Sequence, residues 1–307
     1  MVNKERILKM SNISVSAEGL IDLHVHSTIS DGTYTPRELV ELVKRRRMAG
    51  FALTDHDLIN GLDEAEAAAR EMGVRFLPGM ELTLNFRSRR IHVVAYGFDR
   101  ESYAFKNLYR MIRANKERGM EEVVNFVRDK GLDLTVEEVK ASMTSAFDVY
   151  AIMRCITRRF PDSKVMPLWD KYIYSALDYL GLNMDIAPKA AFTAIHKAGG
   201  VLSLAHFHKR IGLQGLSRQE QEESIAALVD IGLDGMEKYY PSYTDDDRAF
   251  AAATIEKFNL MATGGSDYHG ENRTDTEIGT GIDNNLAVPA EFFDGVEARI
   301  AQVRSKM

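Results

Sequence analysis

The sequence predicts an α/β fold, a (β/α) barrel that carries an inserted helical domain. Short apolar runs alternate with amphipathic segments in both halves of the chain, and histidine or acidic residues stand at the ends of many runs. Strands separated by helices pair in parallel, and barrels of this kind carry their functional groups at the carboxyl ends of the strands. The stretch 101–187 breaks the alternation because it is helical throughout, which predicts an insertion on one strand–helix loop.

The first half of the chain predicts four strands. They cover residues 20–26, 51–54, 74–81 and 91–96. A helix begins at Thr35-Pro36-Arg37-Glu38, which combines an N-cap, a proline in the first turn and a capping-box glutamate. Gly50 ends that helix, and a second helix over 62–72 precedes the third strand.

The second half resumes the alternation after the helical stretch. Its strands cover residues 201–206, 235–240 and 260–264. Ser217-Arg-Gln-Glu220 is a capping box that opens one helix, and another helix spans 245–258. We therefore expect four regions: an N-terminal extension (1–19), a barrel (20–100 plus 188–290), a helical insertion that caps the strand ends (101–187), and a C-terminal helix (291–307).

The composition narrows the class of protein. A chain of 307 residues with 45% hydrophobic residues and a formal charge of −6 favours a globular protein without an extended nucleic-acid surface. Cys155 is the sole cysteine, which excludes a disulfide within the chain and favours a reducing compartment. The first twenty residues contain no apolar run of signal-peptide length, and no stretch of the sequence approaches the length of a membrane span. We expect a soluble cytoplasmic protein that does not bind membranes.

Two pairs of metal-ligand residues stand near opposite ends of the chain. His24 and His26 belong to the first strand run, and Asp267 and His269 follow the last. Residues i and i+2 of a strand project from the same face, so each pair can aim two ligands at one point. With the other strand ends, the candidate ligands are His24, His26, Asp31, His56, Glu81, His92, His206, Asp267 and His269. Neutral nitrogen and anionic oxygen suit Zn, Mn or Fe, which predicts a multinuclear metal site.

These motifs resemble the PHP family, named for polymerase and histidinol phosphatase. The resemblance rests on Asp22-Leu-His24-Val-His26-Ser27, Asp31-Gly32, Thr54-Asp-His56-Asp57, Gly79-x-Glu81, His92, Ala205-His206 and Ser266-Asp267-x-His269. It implies a distorted (β/α)7 TIM-like barrel. It also implies a metal-dependent phosphoesterase with three divalent ions, Mn, Fe or Zn, at the strand ends.

The resemblance also implies how the ligands divide among three ions. One ion would be held by His24, His26, Glu81 and Asp267. Glu81 would bridge to a second ion completed by His92 and His206, and the third would be held by Asp31, His56 and His269. We expect Asp55 either to orient one of the histidine rings or to act as a turn carboxylate.

The chemistry expected of such a site is hydrolysis of a phosphoester by a hydroxide that bridges two metals. The expected catalytic residues are Glu81, Asp267 and His208, the last through phosphate contact or protonation of the leaving group. The expected substrate-binding residues are His208, Lys209, Arg210, Lys238 and Arg273. Three of them, His208, Lys209 and Arg210, lie just after the candidate ligand His206. Lys238 and Arg273 are weaker candidates, because their side chains can equally be charged groups exposed to solvent.

The substrate class is narrowed by one departure from the resemblance. Many family members carry an Arg-Pro-His segment in the insertion, whose arginine helps to hold a second phosphate, whereas this chain has 145–150 without that signature. We therefore expect small phosphomonoesters, with nucleoside monophosphates such as AMP foremost. Tyr150, Arg154, Trp169, Tyr172 and Tyr174 either stack on a base or belong to the core of the insertion.

Three alternatives remain open from the sequence. The nearest is a nucleoside 3′,5′-bisphosphate phosphatase or a 5′-3′ exoribonuclease. An amidohydrolase is possible because related barrels use similar metals on carbon–nitrogen bonds. The non-enzymatic alternative is a metal-bound structural module, which is disfavoured because every expected ligand is present.

Overall fold

A computed structural model describes residues 17–143, 148–180 and 185–307. Residues 1–16 of the expected N-terminal extension, and 145–147 of the segment that departs from the family pattern, lie outside the described residues. Within the described ranges, no helix is both long and apolar enough to cross a membrane.

The strands of the barrel come at or near the predicted positions. They are β1 (Leu20–Asp22), β2 (Gly50–Leu53), β3 (Phe76–Phe86), β4 (Arg89–Tyr96), β5 (Val201–Leu204), β6 (Gly235–Tyr239) and β7 (Met261–Gly264). Short strands follow near the C-terminus: β8 (Thr276–Glu277), β9 (Gly281–Ile282) and β10 (Val288–Pro289).

Seven helices surround the barrel in the described part of the chain, and two of them begin at the predicted capping boxes. They are α1 (Pro36–Arg45), α2 (Leu62–Met72), α3 (Tyr103–Glu117), α9 (Pro188–Lys197), α10 (Arg218–Asp230), α11 (Asp245–Phe258) and α12 (Glu291–Arg304). Thr35 and Ser217 each complete a capping box with the glutamate three residues later. A 3₁₀ turn at Gly270–Arg273 follows the last ligand motif.

The helices between α3 and α9 form a small unit, which we call the cap. It contains α4 (Met120–Asp129), α5 (Val136–Ala141), α6 (Val149–Arg159), α7 (Val165–Leu168), a π-helical turn (Trp169–Tyr174) and α8 (Ser175–Leu180). The cap has its own hydrophobic cluster, which includes Val124, Ile152, Ile156 and Ile173. Separate clusters hold the barrel strands against the surrounding helices.

The strands follow one another around the sheet in sequence order from β1 to β7, with β10 outside β1. The nearly closed, barrel-like sheet confirms the predicted α/β class and the distorted TIM-like barrel. Parallel pairing holds for β1–β2–β3 and for β5–β6–β7. The candidate ligands on the parallel strands therefore lie at one rim, where the carboxyl ends of these strands meet.

The parallel pairing expected of strands separated by helices does not extend to β4. This strand is antiparallel to both β3 and β5, because Arg87 and Ser88 form a two-residue hairpin turn in place of a crossover helix. Both residues have positive φ, 49° and 61°, as a turn that matches the strand twist requires. The reversal brings His92, near the start of β4, to the same rim as the ends of the parallel strands.

The two ligand motifs meet at the seam of the barrel. The Leu23 N–H donates to the Gly264 carbonyl (3.1 Å), the Asp267 N–H donates to the His24 carbonyl (2.9 Å), and the His26 N–H donates to the Tyr268 carbonyl (2.9 Å). These bonds extend β1 and β7 as parallel neighbours. The barrel is therefore joined through the residues that carry the candidate ligands.

Substitution of Gly265 tests how closely the backbone is packed at the seam. A Cβ at this position would lie 2.5 Å from both Cβ and N of His24. We expect Gly265→Ala to lower the free energy of unfolding by about 1–3 kcal/mol, because the backbone at the seam must move apart. Thermal denaturation of the metal-free protein measures the change.

Gly295, in the middle of α12, provides the matched control. A Cβ there would have no described atom within 4 Å. Gly295→Ala should leave the stability unchanged or raise it by up to about 1 kcal/mol, because alanine favours the helix. Equal stability of the two variants would contradict the close packing inferred at the seam.

Candidate metal centre

The Glu81 carboxylate lies at the centre of the candidate site, with none of its surface exposed. Its Oε2 lies 3.1 Å from His24 Nε2, 3.3 Å from His26 Nε2 and 3.0 Å from His56 Nδ1. Its Oε1 lies 2.8 Å from His92 Nδ1 and 3.0 Å from His206 Nε2. One carboxylate therefore joins two groups of imidazole rings, the arrangement that a bridging ligand requires.

Asp267 divides its two oxygens between different partners. Its Oδ1 faces the histidines, 3.2 Å from His26 Nε2 and 3.6 Å from His24 Nε2. Its Oδ2 accepts hydrogen bonds from Tyr240 Oη (2.6 Å) and Arg273 Nη1 (2.5 Å). These donors fix the carboxylate, so that Oδ1 is the oxygen available to a metal.

A third group of candidate ligands lies beside the first two. The Asp31 carboxylate is 3.2 Å from His269 Nε2 and 3.8 Å from both His26 Nδ1 and His56 Nε2. The ligand atoms of Asp31, His26, His56 and His269 all lie within 4.8 Å of one another. The same holds for His24, His26, Glu81 and Asp267, and for His56, Glu81 and His92. With His206 beside Glu81, the structure thus brings all nine sequence-predicted ligands to one place, and His26, His56 and Glu81 are each shared between two groups.

The buried ring nitrogens test whether these residues fit metal ions. Among the described residues, no hydrogen-bond partner meets His24 Nε2, His26 Nε2, His56 Nδ1, His92 Nδ1 or His269 Nε2. Buried polar atoms are rarely left without partners, because the loss of water costs free energy. These nitrogens converge on carboxylates without making hydrogen bonds. Such nitrogens and carboxylate oxygens are the usual ligands of a divalent metal ion, so the residues fit a metal site.

The pKa shifts reflect the crowding of charge in a buried place. Burial would raise the pKa of Glu81, but the charges of His24, His92 and His56 lower it well below its usual value. Burial would lower the pKa of His26, but Asp267 and Glu81 raise it to about 9. Without metal, the carboxylates are therefore ionised and part of the site holds protons in the place of cations.

Glu237, which the sequence analysis did not select, supports two of the candidate ligands. Its Oε1 accepts from His24 Nδ1 (2.7 Å), and its Oε2 accepts from the backbone N–H of His206 (2.6 Å). A carboxylate on Nδ1 keeps the proton there and leaves Nε2, which faces Glu81, free to bind a metal. Glu237 is thus a positioning residue on β6.

Two further buried carboxylates accept hydrogen bonds from backbone N–H and hydroxyl groups rather than from imidazole rings. Asp55 accepts hydrogen bonds from the N–H and hydroxyl groups of Ser27 and Ser30. It therefore fixes the loop that carries Asp31, and the expectation that it orients a histidine ring is wrong. Asp22 accepts from the N–H groups of Ser266 and Gly279 across the seam.

The candidate ligands open into a cavity of about 450 Å³ between the barrel rim and the cap. A larger groove of about 1630 Å³ runs past Asp63, Arg100 and Arg304 but shares no lining residue with the ligand cluster. The smaller cavity is therefore the candidate substrate-binding site. Its volume lies within the range of roughly 300–1,000 Å³ typical of small-molecule sites.

The structure sorts the five cationic or histidine candidates for substrate binding. His208, Lys209, Arg210 and Arg273 line the cavity. Lys238 does not line it, and its ammonium instead lies 5.7 Å from the centre of the Tyr239 ring. Lys209 Nζ contacts the Tyr240 hydroxyl and lies 3.5 Å from Asp267 Oδ2, which makes Lys209 and Arg273 the cations nearest the candidate ligands.

The barrel, the buried cluster of histidines and carboxylates, and the cavity above it define a metal-dependent hydrolase. The PHP domain matches residues 22–181, which is more than half of the chain. The chain therefore belongs to the PHP domain family. It binds divalent metal and hydrolyses phosphoesters.

Curated relatives cover most of this chain. A 5′-3′ exoribonuclease of Haemophilus influenzae is 30% identical over 81% of this chain and 89% of its own length. A phosphoribosyl 1,2-cyclic phosphate 1,2-diphosphodiesterase of Eggerthella lenta is 25% identical over 81% and 94% of the two chains. A 3′,5′-nucleoside bisphosphate phosphatase of Chromobacterium violaceum is 28% identical over 84% and 90%.

A solved structure has the same fold. A metal-dependent phosphoesterase of Bifidobacterium adolescentis superposes with a TM-score of 0.79 at 24% identity, over 91% of this chain and 96% of its own. The predicted family, the predicted barrel and the phosphoesterase class are confirmed.

The role of Glu237 can be tested by replacement with glutamine. An amide nitrogen would donate to His24 Nδ1 and move the ring proton to Nε2, so that His24 could no longer bind a metal. We expect Glu237→Gln to weaken metal affinity by about 10- to 100-fold. Metal content after equilibrium dialysis measures the effect, and Glu256→Gln on the exposed face of α11 is the control. Equal metal retention in both variants would refute the positioning role.

Metal binding should release protons near neutral pH. The raised pKa of His26, about 9, means that its ring is protonated in the metal-free protein, and a metal binds the neutral ring. Affinity should therefore rise with pH until His26 has lost its proton. Isothermal titration with Mn²⁺ in two buffers of different ionisation enthalpy measures the release. Binding heats that do not depend on the buffer would contradict proton release. The control is His196→Ala, outside the ligand cluster, which should release as many protons as the wild type.

Proposed function

We propose that this phosphoesterase hydrolyses phosphomonoesters of small organic alcohols, foremost nucleoside monophosphates such as AMP, to the alcohol and inorganic phosphate. One observation carries the proposal: the cavity joins the metal-ligand cluster on the barrel to Lys209 and Arg273 at its floor and to the cap above. The space suits a compact anion with an attached small molecule rather than an extended strand.

We infer three divalent ions, Mn, Fe or Zn, held by overlapping groups. His24, His26, Glu81 and Asp267 form the first group, and Glu81 with His92 and His206 the second. Asp31, His56 and His269 form the third, with His26 near enough to contribute. When bound, such ions would act as Lewis acids toward phosphoryl oxygens and toward water.

The chain's own cations would hold the phosphate. Lys209 and Arg273 both reach Asp267 Oδ2 from the cavity side. Their remaining N–H groups can donate to phosphate oxygens without breaking the contacts that hold Asp267. Arg210 is more distant, since it pairs with Asp170 of the cap at 2.7 Å.

His208 is the candidate for contact with the leaving group. Its Nε2 lies 2.8 Å from Ser242 Oγ, and the ring lines the cavity. Burial and the charge of Lys209 lower the pKa of His208. Its ring is therefore neutral near pH 7, so it contributes a hydrogen bond there and donates a full proton to a leaving oxygen in acidic solution.

The second candidate function is that of the relatives that act on bisphosphates or RNA. A second phosphate would need donors in the cap. At the start of α6, however, the Asp148 carboxylate already accepts the N–H groups of Tyr150 and Ala151, both at 3.0 Å. These N–H groups are therefore not available to a phosphate. The described cap residues that line the cavity are apolar or aromatic and offer no cation to a second phosphate, which favours the monoester.

Phosphate release from a substrate panel tests the proposal. The panel contains AMP, sugar phosphates, histidinol phosphate, a nucleoside 3′,5′-bisphosphate and a short 5′-phosphorylated RNA, each with Mn²⁺ and with chelator. We expect chelator-sensitive release from AMP, and loss of release in Glu81→Gln. Phosphate release from the bisphosphate alone, or release of mononucleotides from the RNA followed by chromatography, would establish the second candidate. Release of neither phosphate nor nucleotide with metal bound would refute both.

The phosphate-binding cations are tested in the same assay. Lys209→Met should lower kcat/KM for AMP by about 10- to 100-fold, as expected for the loss of a charged hydrogen bond to phosphate. Lys238→Met removes a lysine that does not line the cavity and is the matched control. Equal losses in the two variants would exclude a specific role for Lys209.

A further inference from the structure

The cavity has two chemically different sides. The barrel side carries candidate metal ligands and cations, as described above. The opposite side, which we call the cap wall, consists of Tyr150, Met166, Trp169, Ile173, Tyr174 and Leu177. A phosphate held on the barrel side would direct its organic substituent toward the cap wall.

Aromatic rings continue outward from the metal-ligand cluster along this wall. Tyr150 stacks on the candidate ligand His56, with ring centres 5.1 Å apart and planes 5° from parallel. Trp169 meets Tyr150 edge to face at 5.5 Å, and Tyr174 lies 5.8 Å beyond Trp169. Trp169 and Tyr174 are half-buried, so part of each ring remains accessible from the cavity.

The π-helical turn explains why these rings share one side. In such a turn, hydrogen bonds join residues five apart, which brings Trp169 and Tyr174 into line. Both line the cavity together with Ile173. Tyr172, in the same turn, points the other way, is 3% exposed and stacks on Phe160 in the cap cluster. Tyr172 thus belongs to the core, whereas its two aromatic neighbours face the substrate space.

Trp169 is the best placed of these rings to receive a ligand. The guanidinium of Arg210 lies 4.8 Å from the centre of the Tyr174 ring and covers it from the barrel side. Tyr150 is already stacked on His56 and is 9% exposed. The indole of Trp169, between them, remains half-buried and offers the largest aromatic surface.

We propose that the cap wall, through Trp169, binds a planar ring on the leaving group, so that the enzyme selects ring-bearing phosphomonoesters over phosphates of compact alcohols. A nucleobase and a simple aryl group share this chemistry. The inference rests on the proposed monoesterase activity and adds the specificity determinant. Stacking of a base on an aromatic side chain corresponds to about 5- to 150-fold in affinity.

Binding can be measured without turnover, because Trp169 is the only tryptophan in the sequence. Adenosine and methyl β-D-ribofuranoside differ in the base alone, and neither carries a phosphate. With the metal-loaded protein, adenosine should quench the tryptophan fluorescence in a saturable manner, whereas the methyl riboside should not. Phenol, tested beside adenosine, distinguishes a general aryl site from a nucleobase site. Quenching by neither ring compound would overturn the proposal.

Steady-state kinetics then test whether Trp169 is the residue that selects ring-bearing substrates. For AMP and methyl β-D-ribofuranoside 5-phosphate, the wild-type ratio of kcat/KM should be about 5- to 150-fold in favour of AMP. Trp169→Ala should reduce this ratio toward one, and Trp169→Phe should retain much of it. Tyr179→Ala removes a cap tyrosine that is 78% exposed and outside the cavity, so the ratio should not change.

The outcomes separate this inference from the proposed function. If both esters are hydrolysed equally well by the wild type, the cap wall does not select a ring, although the monoesterase proposal stands. If Trp169→Ala preserves the ratio, Trp169 is not the determinant and the inference fails. If the metal-loaded wild type hydrolyses neither ester, the proposed function itself fails, while fluorescence quenching still reports whether the ring site exists.

Discussion

The structure of the site depends on the burial of Glu81 among five histidine rings. A carboxylate with no exposed surface loses its hydration, and this loss must be offset by nearby positive charge. Protons on some of the rings offset it in part when metal is absent, and divalent ions do so more completely. Backbone hydrogen bonds at the seam fix the segments that carry the first and last ligand motifs. Side-chain hydrogen bonds then orient individual groups, as Glu237 does for His24 and as Tyr240 and Arg273 do for Asp267.

Much of the site could be predicted because its ligands obey the two-residue repeat of a strand. His24 and His26 project from the same face, and Nε2 of each ring faces Glu81 Oε2. The same spacing at Asp267 and His269 brings Asp267 Oδ1 within 3.5 Å of His269 Nδ1, although the backbone at Asp267 has a positive φ of 55° and is not extended. The capping boxes at Thr35 and Ser217 fixed two helix starts for an equally local reason. Local patterns of this kind do not depend on what the rest of the chain does.

The features that the sequence analysis missed depend on a turn without its usual residues or on contacts between segments distant in sequence. The Arg87–Ser88 turn lacks the glycine or asparagine that usually marks a hairpin, so the reversal of β4 was not predicted. Glu237 looked unremarkable beside Lys238, and the same alternation that points Glu237 inward toward His24 points Lys238 out of the cavity. Tyr240 and its bond to Asp267 could not be foreseen, because 27 residues separate them in sequence.

The closure of the barrel at its seam has a consequence for biosynthesis. Asp22 and Ser266 are 244 residues apart, and their hydrogen bond belongs to the same junction as the first and last ligand motifs. A nascent chain that has not yet emerged as far as Asp267 can form most of the strands and helices but not the complete ligand set. Joining the ends pays a loop-closure entropy that is largest for such distant partners. Acquisition of metal by the complete ligand set is therefore a late event, because it must wait until the chain has been synthesised as far as His269.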